Sequence, residues 1–277
     1  MNNGVLIDQK APKIKGKIPK KIHYIWIGGK EKPQSVLDCI ESWKKACPDY
    51  EIIEWNEDNF DISSSRYAVE AYEAKKFAFV TDYMRLVILK NEGGIYADTD
   101  IELRKNLDEF LSHDCFFGFE NQATLLTAVI GAKKDCKYIE KLLSYYDGRS
   151  FKLKNGKFDT TTNVISLTAM TKLYYQIELN NTLQKINACG EELAYYPADY
   201  FCAKDYVTGK VFISQNTCSI HHFNGSWLST KNKFEDKLVV CVRKLFGEKI
   251  FRKIMRKFLL NRINDKCKSI KKQNKNA

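Results

Sequence analysis

The sequence predicts an α/β fold, and three observations lead to that prediction. The 277 residues are 44% hydrophobic and 29% charged, a composition typical of a globular chain with room for one large domain. Residues 18–55 contain a β-prone run, a helical pattern and a second β-prone run, which is the order of a strand–helix–strand unit. Residues 77–102 then predict a helix, a glycine turn and a buried strand that ends in two acidic residues.

Periodicity and turn residues locate the individual elements. The first strand lies within residues 18–29 and ends at Gly28-Gly29, where a ligand can approach the backbone. Gly93-Gly94 supplies a tight turn that residues with a Cβ would resist. Further helices are predicted at residues 33–47, 63–75, 138–146 and 163–176, and further strands at residues 50–55, 95–97, 115–119, 125–131, 195–201 and 211–213.

Cysteine usage bears on the compartment of the protein. The nine cysteines are scattered, and no two form a Cys-x-x-Cys pair. This argues against a disulfide framework and a zinc site and favours a reduced chain. The first residues lack the regions of a signal peptide, and no apolar run approaches the roughly 20 residues of a membrane-spanning helix. We therefore expect a cytoplasmic protein.

The net charge of +11 is concentrated at one end of the chain. Residues 231–277 contain 16 Lys or Arg and four Asp or Glu, whereas the remainder contains 29 basic and 30 acidic residues. Because the body is nearly neutral, nucleic acid is not a predicted partner. We divide the chain into a loose lead-in (residues 1–17), a body (residues 18–230) and a basic helical tail (residues 231–277).

The tail contains an amphipathic helix at residues 249–260. On a helical wheel its basic side chains separate from an apolar face formed by Ile250, Phe251, Ile254, Met255, Phe258 and Leu259. This composition is typical of a helix that lies on an anionic membrane surface. The alternative is a C-terminal helix that docks on the body with a solvated basic face. We favour the membrane because the apolar face is broad and the charge has one sign.

Asp98 and Asp100 end the strand after the glycine turn. Two carboxylates one residue apart can both turn toward one hard cation, directly or through water. A cation there would neutralise the charge of a bound diphosphate. The alternative is a surface loop with two acidic residues, but the preceding Gly-Gly-Ile-Tyr places the pair at a strand end and favours a metal site.

Three further groups carry chemistry of their own. Asp82 and Arg85 share one helix face. They could form a simple ion pair, or they could bind oxygen-rich groups of a ligand. Trp26 ends a β-prone run, where it could pack in the core or stack on a nucleobase. His221 and His222 are adjacent and face opposite ways in an extended segment, so we expect one metal ligand, His221.

Four blocks together support a resemblance: IHYIWIG from Ile22, TDYMR from Thr81, GGIYADTD from Gly93 and HHFNGSW from His221. With this order and spacing, residues 18–228 resemble glycosyltransferase family 32, which includes bacterial capsular-polysaccharide transferases and yeast mannosyltransferases. They are also similar to the glucosylating domains of large clostridial toxins. The resemblance implies a GT-A (Rossmann-like) nucleotide-sugar-binding fold, a nucleotide-sugar donor, a Mn²⁺ or Mg²⁺ ion and retention of anomeric configuration.

The resemblance also implies roles for individual residues. Trp26 would stack on the base, and Ser226 and Trp227 would form a lid over the diphosphate. The implied metal ligands are Asp98, Asp100 and His221, the implied catalytic residues are Asp82, Arg85, Asp98 and Asp100, and the implied donor-binding residues are Ile25, Trp26, Gly28, Asp82, Arg85, Asp98, Ser226 and Trp227. Where a Thr-Gly-Pro-like segment is expected, this chain has Thr161-Thr162-Asn163, either a sugar contact or a plain helix cap.

The function predicted from these motifs is transfer of a hexose from a nucleotide-sugar donor, with a UDP-sugar favoured, to a glycan acceptor in cell-surface polysaccharide synthesis. A lipid-linked acceptor would explain a tail that holds the enzyme at the inner face of the membrane. The first alternative is an inactive nucleotide-sugar or glycan-binding module or partner subunit. A toxin-like transferase that modifies a protein ranks below it, and a nucleotidyltransferase would need a longer basic loop than Gly28-Gly29-Lys30.

Overall fold

A computed structural model describes residues 17–224 and 247–275. The strands in these residues are β1 (Lys21–Ile25), β2 (Glu51–Trp55), β3 (Gly94–Ala97), β4 (Ile101–Leu103), β5 (Cys115–Phe119), β6 (Leu125–Ala132), β7 (Gln184–Ala188), β8 (Glu191–Tyr196) and β9 (Ser219–His221). The α-helices are α1 (Gln34–Ala46), α2 (Arg66–Glu73), α3 (Phe77–Glu92), α4 (Lys137–Leu143), α5 (Asn163–Tyr175), α6 (Ala198–Phe201) and α7 (Glu248–Lys275).

Seven strands form one sheet in the order β2-β1-β3-β6-β5-β8-β7, and β4 and β9 form a separate pair. Strand β1 is parallel to β2 and β3, and β5 is parallel to β8. The other neighbours in the large sheet are antiparallel. The predicted α/β fold is confirmed, and the mixed sheet fits a GT-A fold. Because β1, β2 and β3 are parallel, their carboxyl ends share one edge, which is where Trp26 and Asp98 follow.

Hydrophobic side chains cover both faces of the large sheet. In β3, Tyr96 packs in the core that contains α2, α3, α4 and α5. Its neighbours Ile95 and Ala97 pack in the core that contains α1 and Phe201. This alternation is the two-residue period of a strand with both faces covered, so β3 is fixed firmly beneath the acidic pair that follows it.

Gly93 and Gly94 reverse the chain between α3 and β3. Both have positive φ angles, 65° and 105°. A Cβ on Gly93 would lie 2.6 Å from the backbone nitrogen of Lys134, and one on Gly94 would lie 2.8 Å from Nε2 of His23. Only glycine fits both positions. The tight turn holds α3 against the sheet with its first turns near the end of β3.

Two predicted strands in the second half of the body are wrong. The predicted strand 195–201 ends as β8 at Tyr196, and α6 follows it. The cause is Pro197, which cannot continue a ladder and favours a helix start. Residues 211–213 do not form a strand either, because Val211 makes only an isolated bridge with Lys204.

Helix α7 packs on the body along one edge of its apolar face. Phe251, Ile263 and Ile270 are buried, with exposures of 2%, 0% and 4%, and the last two join the core that contains α3 and α5. The opposite edge, Ile250 and Ile254, remains about half exposed, at 54% and 48%. One edge of this helix therefore docks on the body, as the alternative to membrane binding predicts, and the other edge is open to solvent.

Part of the predicted organisation lies outside the described residues, namely residues 1–16 of the lead-in, residues 225–230 of the body and residues 231–246 of the tail. No helix in the described ranges has the length and hydropathy needed to cross a membrane.

Candidate active site

Three predicted metal ligands converge where β3 ends. The backbone nitrogen of Ile101 donates to the carbonyl of Asp98 at 3.0 Å, so residues 98–101 turn the chain from β3 into β4. Strand β4 pairs antiparallel with β9, and this register sets Ile101 opposite His221. As a result, one ligand atom each from Asp98, Asp100 and His221 lies within 4.8 Å of the others.

The donor set fits Mn²⁺ or Mg²⁺. Carboxylate oxygens suit both ions, and imidazole nitrogen suits Mn²⁺ better than Mg²⁺. Nε2 of His221 lies 3.3 Å from Oδ1 of Asp100, longer than the roughly 2.7–2.9 Å of a charge-assisted hydrogen bond. Each atom could therefore serve one ion. That these residues bind an ion stays a prediction.

Asp100 and His221 influence each other's protonation. Oδ2 of Asp100 also accepts a hydrogen bond from the backbone nitrogen of Asn224 at 2.9 Å. Burial raises the pKa of Asp100, but the neighbouring His221 imidazole and backbone N–H groups, among them that of Asn224, together hold it below its ordinary value. Burial lowers the pKa of His221, but Asp100 reverses the effect and raises it. A cation at this position would displace the imidazole proton.

Arg85 and Asp82 form a buried pair beside the acidic turn. Their side chains are only 5% and 11% exposed, and Nη2 of Arg85 donates to Oδ1 of Asp82 at 2.9 Å. Nη1 of Arg85 donates to the carbonyl of Thr127 on β6 at 2.8 Å and lies 3.4 Å from Oδ1 of Asp98. Burial raises the pKa of Asp82 to about 7, although Arg85 opposes the rise. The intrahelical ion pair of the alternative interpretation is therefore formed, and contact of these two residues with a donor stays a prediction.

Tyr96 joins the two groups and was missed by the sequence reasoning. Its hydroxyl donates to Oδ1 of Asp98 at 2.6 Å, and the guanidinium of Arg85 lies over its ring at 4.6 Å. The signal was present in the motif, because residues two apart on a strand share a face. The hydrogen bond from Tyr96 thus fixes the position of the Asp98 carboxylate.

Asn163 opens α5 next to the same network. It is 7% exposed, and its Oδ1 accepts a hydrogen bond from the hydroxyl of Thr127 at 3.1 Å. Its Nδ2 is buried and has no hydrogen-bond partner among the described residues. Thr162, the residue before α5, makes no side-chain cap hydrogen bond. Thr162 therefore forms no side-chain cap, and a sugar contact of Asn163 stays a prediction.

The predicted base-binding residues follow β1 at the same sheet edge. Trp26 is half-buried, and its indole nitrogen donates to the carbonyl of Lys30 at 2.6 Å. Ile25 is 5% exposed and packs in the core, so only its backbone can face a donor. Gly28 has a φ of 92°, and a Cβ there would lie 2.6 Å from the ring of Phe77.

The remaining predictions concern the HHFNGSW block that begins at His221, and they have different outcomes. The imidazole of His222 is directed to Glu102, with Nε2 3.0 Å from Oε2 of that residue, although the backbone nitrogen of His222 donates to the carbonyl of Asp100 at 2.9 Å. Ser226 and Trp227, the predicted lid, lie outside the described residues.

An acidic pair that is a candidate cation site, together with a buried arginine, suits an enzyme that transfers a group from an activated phosphate ester. Comparison with known proteins gives the class more narrowly. Residues 33–117 match the family described as glycosyltransferase sugar-binding region containing DXD motif, and this stretch includes the candidate residues of α3 and β3.

Two curated relatives are each 30% identical to this chain. The Legionella pneumophila protein "Subversion of eukaryotic traffic protein A" matches over 35% of this chain and 20% of its own length. An uncharacterized glycosyltransferase of Acanthamoeba polyphaga mimivirus matches over 56% of this chain and 66% of its own length. The chain thus spans a fifth of one relative and slightly under two thirds of the other. The family match over residues 33–117 and the mimivirus relative support the predicted enzyme class, a glycosyltransferase with a DXD motif. Membership of family 32 stays a prediction.

Two solved structures align in part. "PaToxG Glycosyltransferase" is 21% identical, with a TM-score of 0.43 over 57% of this chain and 70% of that chain. A glycosyltransferase involved in the glycosylation of the major capsid of PBCV-1 is 11% identical, with a TM-score of 0.40 over 77% of this chain and 97% of that chain. At these scores we transfer no residue role from either structure.

Proposed function

We propose that this chain transfers a hexose from a nucleotide-sugar donor, with a UDP-sugar favoured, to a glycan acceptor in the synthesis of a cell-surface polysaccharide. The observation that carries the proposal is the convergence of Asp98, Asp100 and His221 within 4.8 Å beside the buried Arg85–Asp82 pair. Retention of anomeric configuration is proposed from the resemblance to retaining enzymes.

Each group in the site has a defined task in this proposal. Asp98, Asp100 and His221 would hold Mn²⁺ or Mg²⁺, which when bound neutralises charge on the leaving diphosphate. Arg85 is fixed by Asp82 and the carbonyl of Thr127, so its charge needs no reorganisation when the diphosphate departs. Trp26 would stack on the base.

The sugar would lie between Asp82 and Asn163. The carboxylate accepts hydrogen bonds from sugar hydroxyls, and the unpaired amide of Asn163 donates one. The acceptor hydroxyl attacks the anomeric carbon on the face from which the diphosphate leaves, so one C–O bond forms as another breaks. The departing diphosphate takes the proton of the acceptor, and no covalent nucleophile is assigned.

Release of free nucleotide tests the proposal. Purified protein with Mn²⁺ is incubated with UDP-glucose, UDP-galactose, their N-acetyl forms and GDP-mannose. Asp100→Ala should abolish metal-dependent release, because it removes a carboxylate from the acidic pair. Asp265→Ala is the matched control, since Asp265 is an exposed carboxylate on α7 that pairs only with Lys268 among the described residues. We expect this variant to retain full release.

The alternative function makes the opposite prediction. A nucleotide-sugar-binding module would show a thermal shift with one donor and no release. No release and no shift with any of these donors would contradict donor binding altogether.

We also propose that the α7 side of the molecule rests on the anionic inner face of a membrane, where a lipid-linked acceptor would be presented. Ile250, Ile254 and Phe258 are about half exposed, at 54%, 48% and 52%. They run along α7 beside exposed lysines at positions 249, 253 and 257. An apolar stripe beside one-signed charge is complementary to an anionic lipid surface, and each lysine near such a surface adds about 1 kcal/mol.

A loop next to the active site adds to this surface. Phe212 and Ile213 are exposed, at 59% and 55%, and the loop is tied to α7 because Arg252 donates to Asp205 at 2.8 Å. From the same loop, the ring of Tyr206 contacts Phe223, which in turn packs on the ring of His221 at 4.0 Å. The loop that carries Phe212 and Ile213 therefore reaches the candidate metal site through Tyr206 and Phe223, which supports an acceptor held at the membrane.

A further inference from the structure

A cavity of about 370 Å³ lies between the segment 144–154 and the two helices α5 and α7. Met170 and Tyr174 line it from α5, and Ile270 and Gln273 line it from α7. Among the described residues that line this cavity, none belongs to the candidate active site. Its volume is in the range of small-molecule sites. The cavity is therefore a second place where a ligand can bind.

The lining of this cavity carries an excess of positive charge. Arg149, Lys152 and Lys154 line it, and Asp147 is the one acidic residue among the described lining residues. Lys152 and Lys154 are exposed, and their ammonium groups form no ion pair within the described part of the chain. A cleft that is lined by one sign of charge concentrates ions of the opposite sign. The lining therefore favours an anionic ligand.

Two cations meet on the ring of Tyr145, which also lines the cavity. The guanidinium carbon of Arg149 lies 4.1 Å from the ring centre, and Nζ of Lys266 on α7 lies 5.0 Å from it. Nη2 of Arg149 donates to Oδ2 of Asp159 at 2.9 Å, and its Nη1 donates to Oε1 of Gln273 at 2.9 Å. Because the Arg149 side chain is only 14% exposed, these contacts fix its charge at the cavity wall.

One carboxylate does not balance these two positive charges. Asp159 pairs with Arg149, whereas the half-buried Lys266 forms no ion pair with any described residue. Burial and the charge of Arg149 lower the pKa of Lys266 to about 8, although Asp159 opposes the fall. A partly buried cation without full compensation is costly. An anion in the adjacent cavity would supply the missing negative charge.

We propose that this cavity binds a phosphate group, carried either by a small phosphorylated molecule or by a lipid headgroup. Lys152 and Lys154 would donate to the phosphate oxygens, and Arg149 and Lys266 would add positive charge from the wall. A phosphate dianion suits several cations at once, which a single carboxylate does not. Aromatic and apolar side chains of the same cavity would contact the rest of the ligand. This site is separate from that of the donor diphosphate and goes beyond the proposed transfer.

Titration with inorganic phosphate tests the site. Binding to the full chain is measured by isothermal titration calorimetry at constant ionic strength, without Mn²⁺ and without a sugar donor. The variant Lys152→Glu/Lys154→Glu should raise the Kd for phosphate about tenfold or more, because acidic groups replace two charged hydrogen-bond donors. Its Tm without phosphate should stay close to that of the unmodified chain, since both side chains are exposed.

Lys44→Glu/Lys45→Glu is the matched control. It changes the net charge by the same amount, and both lysines are exposed on α1, with Nζ atoms 3.8 and 3.9 Å from the carboxylate of Glu41. We expect this variant to bind phosphate as the unmodified chain does.

Lys266→Met tests the charge at the cavity wall. It should weaken phosphate binding, because one of the cations is removed. Its Tm without phosphate should be unchanged or higher, since the variant removes a half-buried charge that has no ion-pair partner among the described residues.

Flotation with phosphatidylglycerol vesicles distinguishes the two sources of the phosphate group. If Lys152→Glu/Lys154→Glu loses flotation and Lys44→Glu/Lys45→Glu keeps it, the ligand is a lipid headgroup. If both variants float equally and only the first loses phosphate binding, the ligand is a soluble phosphorylated molecule. Either result supports the site.

Three results would overturn the inference. The first is absence of saturable phosphate binding by the unmodified chain. The second is an unchanged Kd in Lys152→Glu/Lys154→Glu, which would place the bound phosphate elsewhere. The third is equal weakening in this variant and in the control on α1, which would reduce the effect to overall charge. A failure of sugar transfer is distinguishable, because the titration contains no donor.

Discussion

At the scale of the residue, the site consists of polar side chains that hydrogen bonds to the protein hold in fixed positions. Arg85 is fixed by Asp82 and a carbonyl of β6, and Asp98 is fixed by Tyr96. Asn163 shows the clearest asymmetry, since its oxygen is paired and its nitrogen is not. A buried donor without a partner destabilises a fold by about 1–3 kcal/mol, so a ligand is the simplest reason to keep it.

Asn163→Ala should lower kcat/KM for the donor about five- to tenfold, the value of one hydrogen bond of about 1–1.5 kcal/mol. Its free energy of unfolding should change little, because the substitution removes an unpaired buried amide along with one hydrogen bond to Thr127. Steady-state nucleotide release and urea unfolding measure the two effects.

Thr162→Ala is the control for this prediction, because Thr162 stands next to Asn163 and makes no cap hydrogen bond. It should leave both quantities near their original values. If Asn163→Ala instead destabilised the fold and left kcat/KM unchanged, Asn163 would be a structural residue.

At the scale of the element, the β4–β9 pair decides which histidine reaches the acidic turn. Ile101 pairs with His221, and Glu102 pairs with Ile220. Side chains alternate along a strand, so a slip of one residue would exchange the two histidines. The alternation of the two rings follows from the sequence, but the register that selects His221 depends on the pairing of residues more than 100 positions apart.

Helix α7 illustrates a second limit at this scale. The helical wheel groups six apolar side chains on one face, but it does not say which of them meet the body. In the structure, one edge of that face packs against α5 and the other is exposed. A two-dimensional projection contains no information about the partner surface, so only tertiary packing makes this division.

Two isoleucines on α7 test the division. Ile263→Ala should lower the free energy of unfolding by about 2–4 kcal/mol, because Ile263 is fully buried in the main core. Ile254→Ala should stay within about 0.5 kcal/mol, since Ile254 is 48% exposed. Chemical denaturation measures both variants. Equal, small effects would mean that α7 does not stabilise the body.

At the scale of the whole molecule, charge and apolar exposure coincide on the side that carries α7. Residues 247–275 contain 11 Lys or Arg and two Asp or Glu. The exposed apolar stripe of α7 belongs to a helix that is tied by Arg252 to the loop carrying Tyr206, and Tyr206 contacts Phe223 beside His221. This coincidence is the basis of the proposed membrane-held acceptor.

The double variant Ile254→Glu/Phe258→Glu should lose binding to vesicles that contain phosphatidylglycerol, because charged side chains replace the apolar stripe. The unmodified chain should float with these vesicles, more weakly at high salt, and should not float with phosphatidylcholine vesicles. Flotation assays measure each case.

Leu37→Glu is the matched control, since Leu37 is 44% exposed on α1, a helix that packs in the core on the other face of the large sheet. It should float as the unmodified chain does. Unchanged flotation of the double variant, or no flotation of the unmodified chain, would contradict the membrane proposal.

The sequence by itself determined the α/β order, the glycine turn, the acidic pair at a strand end and the helix that carries Asp82 and Arg85. These features depend on neighbours in the chain, whose spacing and backbone preferences are local properties. Tertiary structure alone decided that Tyr96 and Thr127 hold the site and that His221 rather than His222 faces Asp100. It also decided that Asn163 keeps an unpaired amide and that half of an apolar helix face remains exposed. Each of these depends on strand register or on packing between distant segments, which local sequence patterns do not encode.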